Sequence, residues 1–169
     1  PVGELVEILG QHSRIASLAV HTPILDLNPC SINPSVAAAS VQYSIRAFRL
    51  AETVGASVFT VHPGRRTAKR VPSRADFDRF EYYVGMLREA SDGSGVRVAM
   101  ENMEPIVNSL LCTPGAMREL LDREPWMYFT LDLSHALAGS GGQVEDYLSA
   151  CHDRLVNVQL SSASWKPRA

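Results

Sequence analysis

The sequence predicts an α/β protein on a parallel sheet of the (β/α)-barrel type, incomplete at about five of the eight βα units that a closed barrel needs. Three observations predict it. Five short β-rich apolar runs each end in a polar residue able to bind a ligand. Segments of helical apolar spacing separate the runs, so successive strands must pair in parallel through right-handed crossovers. Loops after the strands are long and loops after the helices short, which puts the functional face at the strands' C-terminal ends.

Taken in order, Glu4–Leu9 carries Leu5, Ile8 and Leu9 at helical spacing, with Gly10 closing the helix. The run Ile15–Val20 then leads into His21 and a Pro/Asn-rich loop. Asn33 is placed to cap the next helix, with Pro34 in its first turn. That helix lines up Val41, Ile45, Phe48, Ala51 and Val54, and ends at Gly55. Ser57–Val61 runs into His62, followed by a basic loop, Pro63–Ser73, with Arg65, Arg66, Lys69 and Arg70. Ser73 caps a helix bearing Phe77, Phe80, Val84 and Leu87. Val96–Met100 runs into Glu101 and Asn102, and a long loop follows to Cys112. Thr113-Pro114 opens a helix with Met117, Leu120 and Leu121, and Met127–Leu131 runs into Asp132. A glycine-rich loop at 139–142 leads to a helix with Val144, Tyr147, Leu148 and Cys151. Leu155–Val158 runs into Gln159, and the tail at 161–169 has no pattern. Trp126 and the helical phenylalanines read as core, His12 and His152 as surface residues; Trp165 in the tail has no assignment.

No linker divides the chain, so 1–169 reads as one partial barrel domain. Two explanations of its incompleteness stay open: a fragment, or a shortened protein whose open edges are covered by a homo-oligomer. At 46% hydrophobic and 20% charged, the composition is that of an ordinary soluble domain. No apolar run approaches the ~20 residues that cross a bilayer, and no leader pattern opens the chain. Cys30, Cys112 and Cys151 form neither a zinc nor a disulfide spacing, which suits a reducing cytoplasm. A net charge of −2 disfavours non-specific nucleic-acid binding.

The strand ends carry the chemistry. A buried strand has no use for a terminal charge unless something there binds it. His21, His62, Glu101 and Asp132 would project from successive strands about 4.8 Å apart. Two carboxylates at ~5 Å repel by roughly 3 kcal/mol at an effective dielectric near 20, a penalty that a divalent cation reverses. Two imidazoles and two carboxylates suit zinc, manganese or iron better than calcium. Gln159 is the corresponding residue on the last strand. Glu101 and Asp132 are the candidate catalytic carboxylates; His135, Asn102 and Arg65 are candidate substrate contacts. The ordinary reading of a lone strand-end histidine is structural, and that of a basic loop is a solvated surface. The joint occurrence at four strand ends favours a site.

His-Thr-Pro at 21–23, Val-His-Pro-Gly at 61–64, Met-Glu-Asn at 100–102 and Leu-Asp-Leu-Ser-His at 131–135 occur in that order. The ordered set resembles the xylose isomerase-like barrel superfamily, which holds endonuclease IV-type apurinic-site nucleases and sugar-phosphate isomerases and epimerases. The resemblance implies that His21 and His62 match first-zinc histidines of the nuclease branch. Glu101 matches a bridging glutamate, Asp132 a ligand of the second metal and His135 of the third. In the epimerase branch, Glu101 and Asp132 match two of four ligands to one metal, and His135 a substrate contact. Gln159 departs from both branches, where a metal-binding histidine is usual. The segment that would supply a final glutamate and an Asp-x-His pair is absent.

The resemblance thus implies a divalent metal, zinc or manganese foremost, and a sugar or sugar-phosphate isomerase or epimerase. In that reading Glu101 serves as a base beside a metal that polarises the substrate carbonyl. The alternative is a phosphodiesterase acting at abasic DNA, with Arg65, Arg66, Lys69 and Arg70 on phosphates. A third reading is a non-catalytic barrel remnant that binds a metal or small ligand.

Overall fold

The computed structural model describes residues 2–12, 15–70, 72–138 and 143–160. The glycine-rich loop at 139–142 and the tail at 161–169, with Trp165, lie outside the described residues. Five parallel strands form one curled sheet in sequential order: β1 Ala19–His21, β2 Val58–Val61, β3 Arg97–Glu101, β4 Tyr128–Asp132 and β5 Leu155–Gln159. The helices are α1 Val2–Gln11, α2 Pro34–Thr53, α3 Arg74–Ser91, α4 Pro114–Arg123, α5 Leu133–Leu137 and α6 Gln143–Cys151. This is the incomplete barrel-type α/β sheet expected, with α5 as an addition. Among the described residues no helix is long and apolar enough to cross a membrane.

Alternation of side chains along each strand sorts the chain into two faces. Phe59, Val61, Val98, Met100, Phe129 and Leu131 point outward and join the helices in the core. Phe48 of α2 meets Phe59 edge-on at 5.6 Å, and Tyr147 of α6 stacks on Phe129 at 5.7 Å. The inner face carries Thr60, Ala99, Thr130 and Asn157. Thr60 and Thr130 sit two strands apart, ~10 Å in a flat sheet. Their hydroxyls nevertheless lie 2.9 Å apart, and Asn157 Nδ2 donates to Thr60 Oγ1 at 3.3 Å. Only a sheet curled over the single methyl of Ala99 allows this.

The β4–β5 ladder shifts by one residue, pairing Phe129 with Leu155 but Thr130 with Asn157. The shift turns Asn157 and Gln159 to the inner face and lets Leu155 pack on the helix side. An unshifted ladder would aim Gln159 at the helices.

Some expectations are corrected. β1 is three residues rather than the run from Ile15, and Ile15 is exposed at this edge. Phe77 is exposed, not core; the buried stripe of α3 runs instead through Asp76, Phe80, Tyr83, Val84, Leu87 and Ala90. Leu5, Ile8 and Leu148 are exposed too, and α1 continues one residue past Gly10. The caps behave as expected: Asn33 accepts from Ser35 N, and Thr113 from Ala116 N. The three cysteines are unpaired.

Two knots fix the loops at the strands' C-terminal ends. In the first, Asn28 Oδ1 accepts from Cys30 N at 3.1 Å and Arg65 N at 3.0 Å, while Nδ2 donates to Arg65 O at 2.9 Å. Gly64 packs against this knot at φ +78°, and an added Cβ would lie 3.0 Å from Asn28 Oδ1 and 3.1 Å from Cys30 Sγ. In the second, the buried Arg66 donates to the carbonyls of Arg70 and Val107. Arg70 in turn pairs with Asp76 at 2.7 Å, as does Arg79 at 2.6 Å. Asp76 also accepts from the N–H and hydroxyl of Ser73, at the start of α3.

Two outcomes follow from these knots. Gly64→Ala should lower stability by about 1–2 kcal/mol, from the left-handed backbone alone, read by urea denaturation. Asp76→Asn should cost about 2 kcal/mol at pH 7. The Arg70 hydrogen bond chiefly holds the Asp76 carboxyl well below the usual range. Its contribution is therefore present above about pH 4, the unfolded value, and lost as pH falls below it. The same denaturation series carried down to pH 3 should show the gap between wild type and variant beginning to narrow, with full loss only below the much lower folded value.

Candidate metal centre

Each of the five strands delivers one polar side chain to the same end of the inner face. His21 closes β1, Glu101 β3, Asp132 β4 and Gln159 β5; His62 directly follows β2. Parallel pairing in register, together with the β5 shift, makes them neighbours.

Glu101 is the hub, with its side chain 1% exposed. Its Oε2 lies 3.0 Å from His21 Nε2 and 3.2 Å from His62 Nε2, and its Oε1 lies 3.3 Å from His135 Nδ1. Gln159 Nε2 donates to Oε2 at 3.2 Å. The His21 and His62 rings meet edge-on at 4.9 Å. Two triads of ligand atoms result, His21–His62–Glu101 and Glu101–Asp132–His135, each within 4.8 Å and sharing Glu101.

Electrostatics binds the cluster together. Burial works to raise the Glu101 carboxyl, but hydrogen bonds with His135, His21 and His62 outweigh it and hold the group well below the usual range. Burial also works to lower His21, but its bonds to Glu101 and to the Thr22 carbonyl leave it raised. The hydrogen bond to Glu101 pushes His135 up to about 9.

The donor set fits a divalent ion. His21 Nδ1 donates to Thr22 O at 2.7 Å, which fixes the tautomer and leaves Nε2 with a lone pair when the ring is neutral. That lone pair faces a carboxylate oxygen at 3.0 Å. Either a proton or a cation must lie between them. Zinc at ~2.1 Å from tetrahedral donors keeps those donors ~3.4 Å apart, close to the 3.0 and 3.2 Å observed.

The remaining candidates divide. Asp132 is 7% exposed, and its Oδ1 accepts from Ser134 Oγ at 2.6 Å and His135 N at 2.8 Å, so it also caps α5. Asn102 is 0% exposed. Its amide grips the Asp132 backbone at both ends, Oδ1 accepting from Asp132 N at 2.8 Å and Nδ2 donating to Asp132 O at 3.0 Å. Its own carbonyl accepts from His135 Nδ1 at 2.9 Å. The Asn102 side chain is thus committed to holding Asp132 rather than open to a substrate. Gln159 presents its N–H, not its oxygen, to Glu101. Arg65 is exposed and lines a cavity of about 250 Å³ beside His62.

Sequence reasoning missed Asn28, Thr22, Ser44 and Tyr83. Asn28 ties the loop after β1 to the loop after β2; the other three form the floor of that cavity. The one available signal was Asn28-Pro29 facing Pro63-Gly64, two turn-forming pairs after consecutive strands.

Comparison with known proteins sets this geometry in a family. A family model described as xylose isomerase-like TIM barrel matches residues 2–169. An uncharacterised protein of Methanocaldococcus jannaschii is 28% identical over 145 residues, 85% of this chain and 52% of that protein. The chain therefore spans about half the length of this curated relative. The crystal structure of a D-tagatose 3-epimerase-like protein matches with a TM-score of 0.74 at 24% identity, covering 93% of this chain and 60% of that one. Endonuclease IV from Thermus thermophilus matches at 0.70 and 18%, covering 92% and 56%. At these identities the solved structures share the fold. On the strength of the family match and a sheet of that architecture, this chain belongs to the xylose isomerase-like TIM-barrel family.

Proposed function

We propose that the chain carries the metal-binding part of a divalent-metal-dependent sugar or sugar-phosphate isomerase or epimerase, with zinc or manganese as the ion. One observation carries the reading: His21 Nε2 and His62 Nε2 converge on a buried Glu101 oxygen at 3.0 and 3.2 Å. In this reading 1–169 is one partial barrel domain of a cytoplasmic protein, its open edges covered either by further barrel units of a longer chain or by a second copy.

His21, His62 and Glu101 would hold the ion, with Asp132 and Gln159 beside it. Bound there, a divalent ion supplies Lewis acidity for a substrate carbonyl and its neighbouring hydroxyl. Glu101, held far on the ionised side, is a better ligand than a base. Asp132 is then the carboxylate that accepts a proton from the substrate, and Asn102 and the turn at Ser134–His135 fix its position. His135 holds a proton at Nδ1, shared between Asn102 O and Glu101 Oε1, and contacts the substrate through the rest of its ring. Arg65, at the rim, is placed for a phosphate or other anionic group.

A second reading, an endonuclease IV-like phosphodiesterase at abasic DNA, draws on the His21–His62 pair and the shared fold. The basic loop weakens it. Arg66 is engaged with backbone carbonyls and Arg70 with Asp76, which leaves little of a phosphate-binding stripe. A non-catalytic metal-binding barrel is the third reading.

Zinc titration by calorimetry should give one strong site, and Glu101→Gln should weaken it by at least about 100-fold. Isomerisation of a sugar panel should stop on chelation, while abasic DNA stays intact; chelator-sensitive nicking would hand the assignment to the second reading. Gln159→His should tighten zinc binding about tenfold, because imidazole is a better zinc donor than an amide. No gain in the same titration would mean that position 159 does not reach the ion.

A further inference from the structure

The cavity beside His62 enters the chemistry above only through His62 and, at its rim, Arg65. About 250 Å³ in volume, it lies between the loop after β1 and helices α2 and α3. Its walls are mostly apolar, formed by Pro23, Ile24, Leu25, Leu27, Pro29 and Met103, with His62 and the exposed Arg65 also on the lining. An apolar cavity of about 150 Å³ already accommodates benzene. The volume is therefore enough for a ring with a short substituent.

Polar groups on the floor make no demand on a ligand. Thr22 Oγ1 donates to Ser44 Oγ at 3.2 Å, and Tyr83 OH donates to the same oxygen at 3.2 Å. Ser44 Oγ donates to Ser40 O at 3.1 Å. The serine hydroxyl thus gives its proton and receives two, its full capacity. All three hydroxyl protons on the floor are thus committed, so an apolar group leaves no donor unpaired there.

At the rim, Leu25 is 84% exposed and Ile24 43%. Asp26 adopts the left-handed conformation at φ 58°, a tight turn that sends Leu25 outward. Apolar side chains held in water by a rigid turn gain free energy when something apolar covers them. His62 belongs both to this cavity and to the metal cluster. Any molecule filling the cavity therefore ends beside the ion.

We infer that the cavity takes an aryl or alkyl substituent of the substrate, whose oxygen-rich end reaches the cluster of His21, His62 and Glu101. The substrate class is then a sugar derivative with an apolar appendage, not a free sugar. The inference rests on the metal-centre reading for its oxygen-rich half and on the cavity alone for its apolar half.

The test uses the whole chain with isotope-labelled Ile, Leu and Met methyls, loaded with zinc and without it. Phenol, phenyl glucoside and glucose are titrated separately. Phenol should shift the methyls of Ile24, Leu25, Leu27 and Met103 in both states. Phenyl glucoside should bind zinc-loaded protein at least about tenfold more tightly than glucose. Leu27→Trp should fill the cavity and abolish the phenol shifts while calorimetry still finds zinc bound. Leu25→Ser, at an exposed position where folding is not at risk, should weaken phenol several-fold. Zinc binding with no preference for phenyl glucoside, or phenol shifts elsewhere, overturns the inference and leaves the metal reading intact. Phenol in the cavity of a protein that takes up no zinc by calorimetry overturns the metal reading, and with it the placing of the sugar end.

Discussion

A carboxylate sealed almost completely from water at the end of a strand is the constraint on which this structure turns. Burying one ion uncompensated costs several kcal/mol, and Glu101 is 1% exposed. The compensation is local and heavily built: imidazoles of His21 and His62 on one oxygen, that of His135 on the other, and the Gln159 amide alongside. With protons on those rings the cluster closes on itself. The His21, His62 and Glu101 atoms could equally hold a metal ion, and an ion taking the place of the protons would couple its binding to their release. Either way the charge needs these neighbours, and nothing in the hydrophobic core would stabilise it in their absence.

Such a cluster requires strand ends held to within fractions of an ångström, and the scaffold does this at three levels. Sheet curl brings the strand ends together, fixed by the Thr60–Thr130–Asn157 hydrogen bonds over Ala99. The one-residue shift in β5 turns Gln159 inward. Side-chain-to-backbone clasps then fix the residues beyond the strands: Asn102 grips Asp132, and Asn28 grips the segment after His62. These clasps are amides with both ends satisfied, and an amide needs no counter-ion to be buried.

The convergence of the strand-end residues was largely legible in the sequence because its logic is one-dimensional. A run that ends on a polar residue in a parallel sheet has one place to send that residue, and five such runs were visible. The clasps were not legible, because Asn102 next to Glu101 reads as a second ligand until its hydrogen bonds to β4 are seen. Arg66 likewise reads as surface charge. Only the long-range approach of the loop after β3 shows it holding backbone carbonyls. Apolar spacing alone puts Phe77 on the buried stripe of α3, where Asp76 lies instead. That face is chosen by where Tyr83 meets Ser44 across α2, which no local pattern encodes. α5 is visible only as a consequence of Asp132 accepting from His135 N.

Gln159 bears most on what kind of centre this is. An imidazole there would add a donor and move the cluster toward a fully ligated ion. The amide instead donates to Glu101 Oε2 and steadies the carboxylate. A zinc-type centre with two imidazoles and one carboxylate keeps a coordination position for something from outside, which separates catalytic from structural zinc. The apolar cavity reaches this cluster at His62. The residue that looks like a lost ligand in the sequence therefore acts in the fold as a hydrogen-bond donor that holds the Glu101 carboxylate in place.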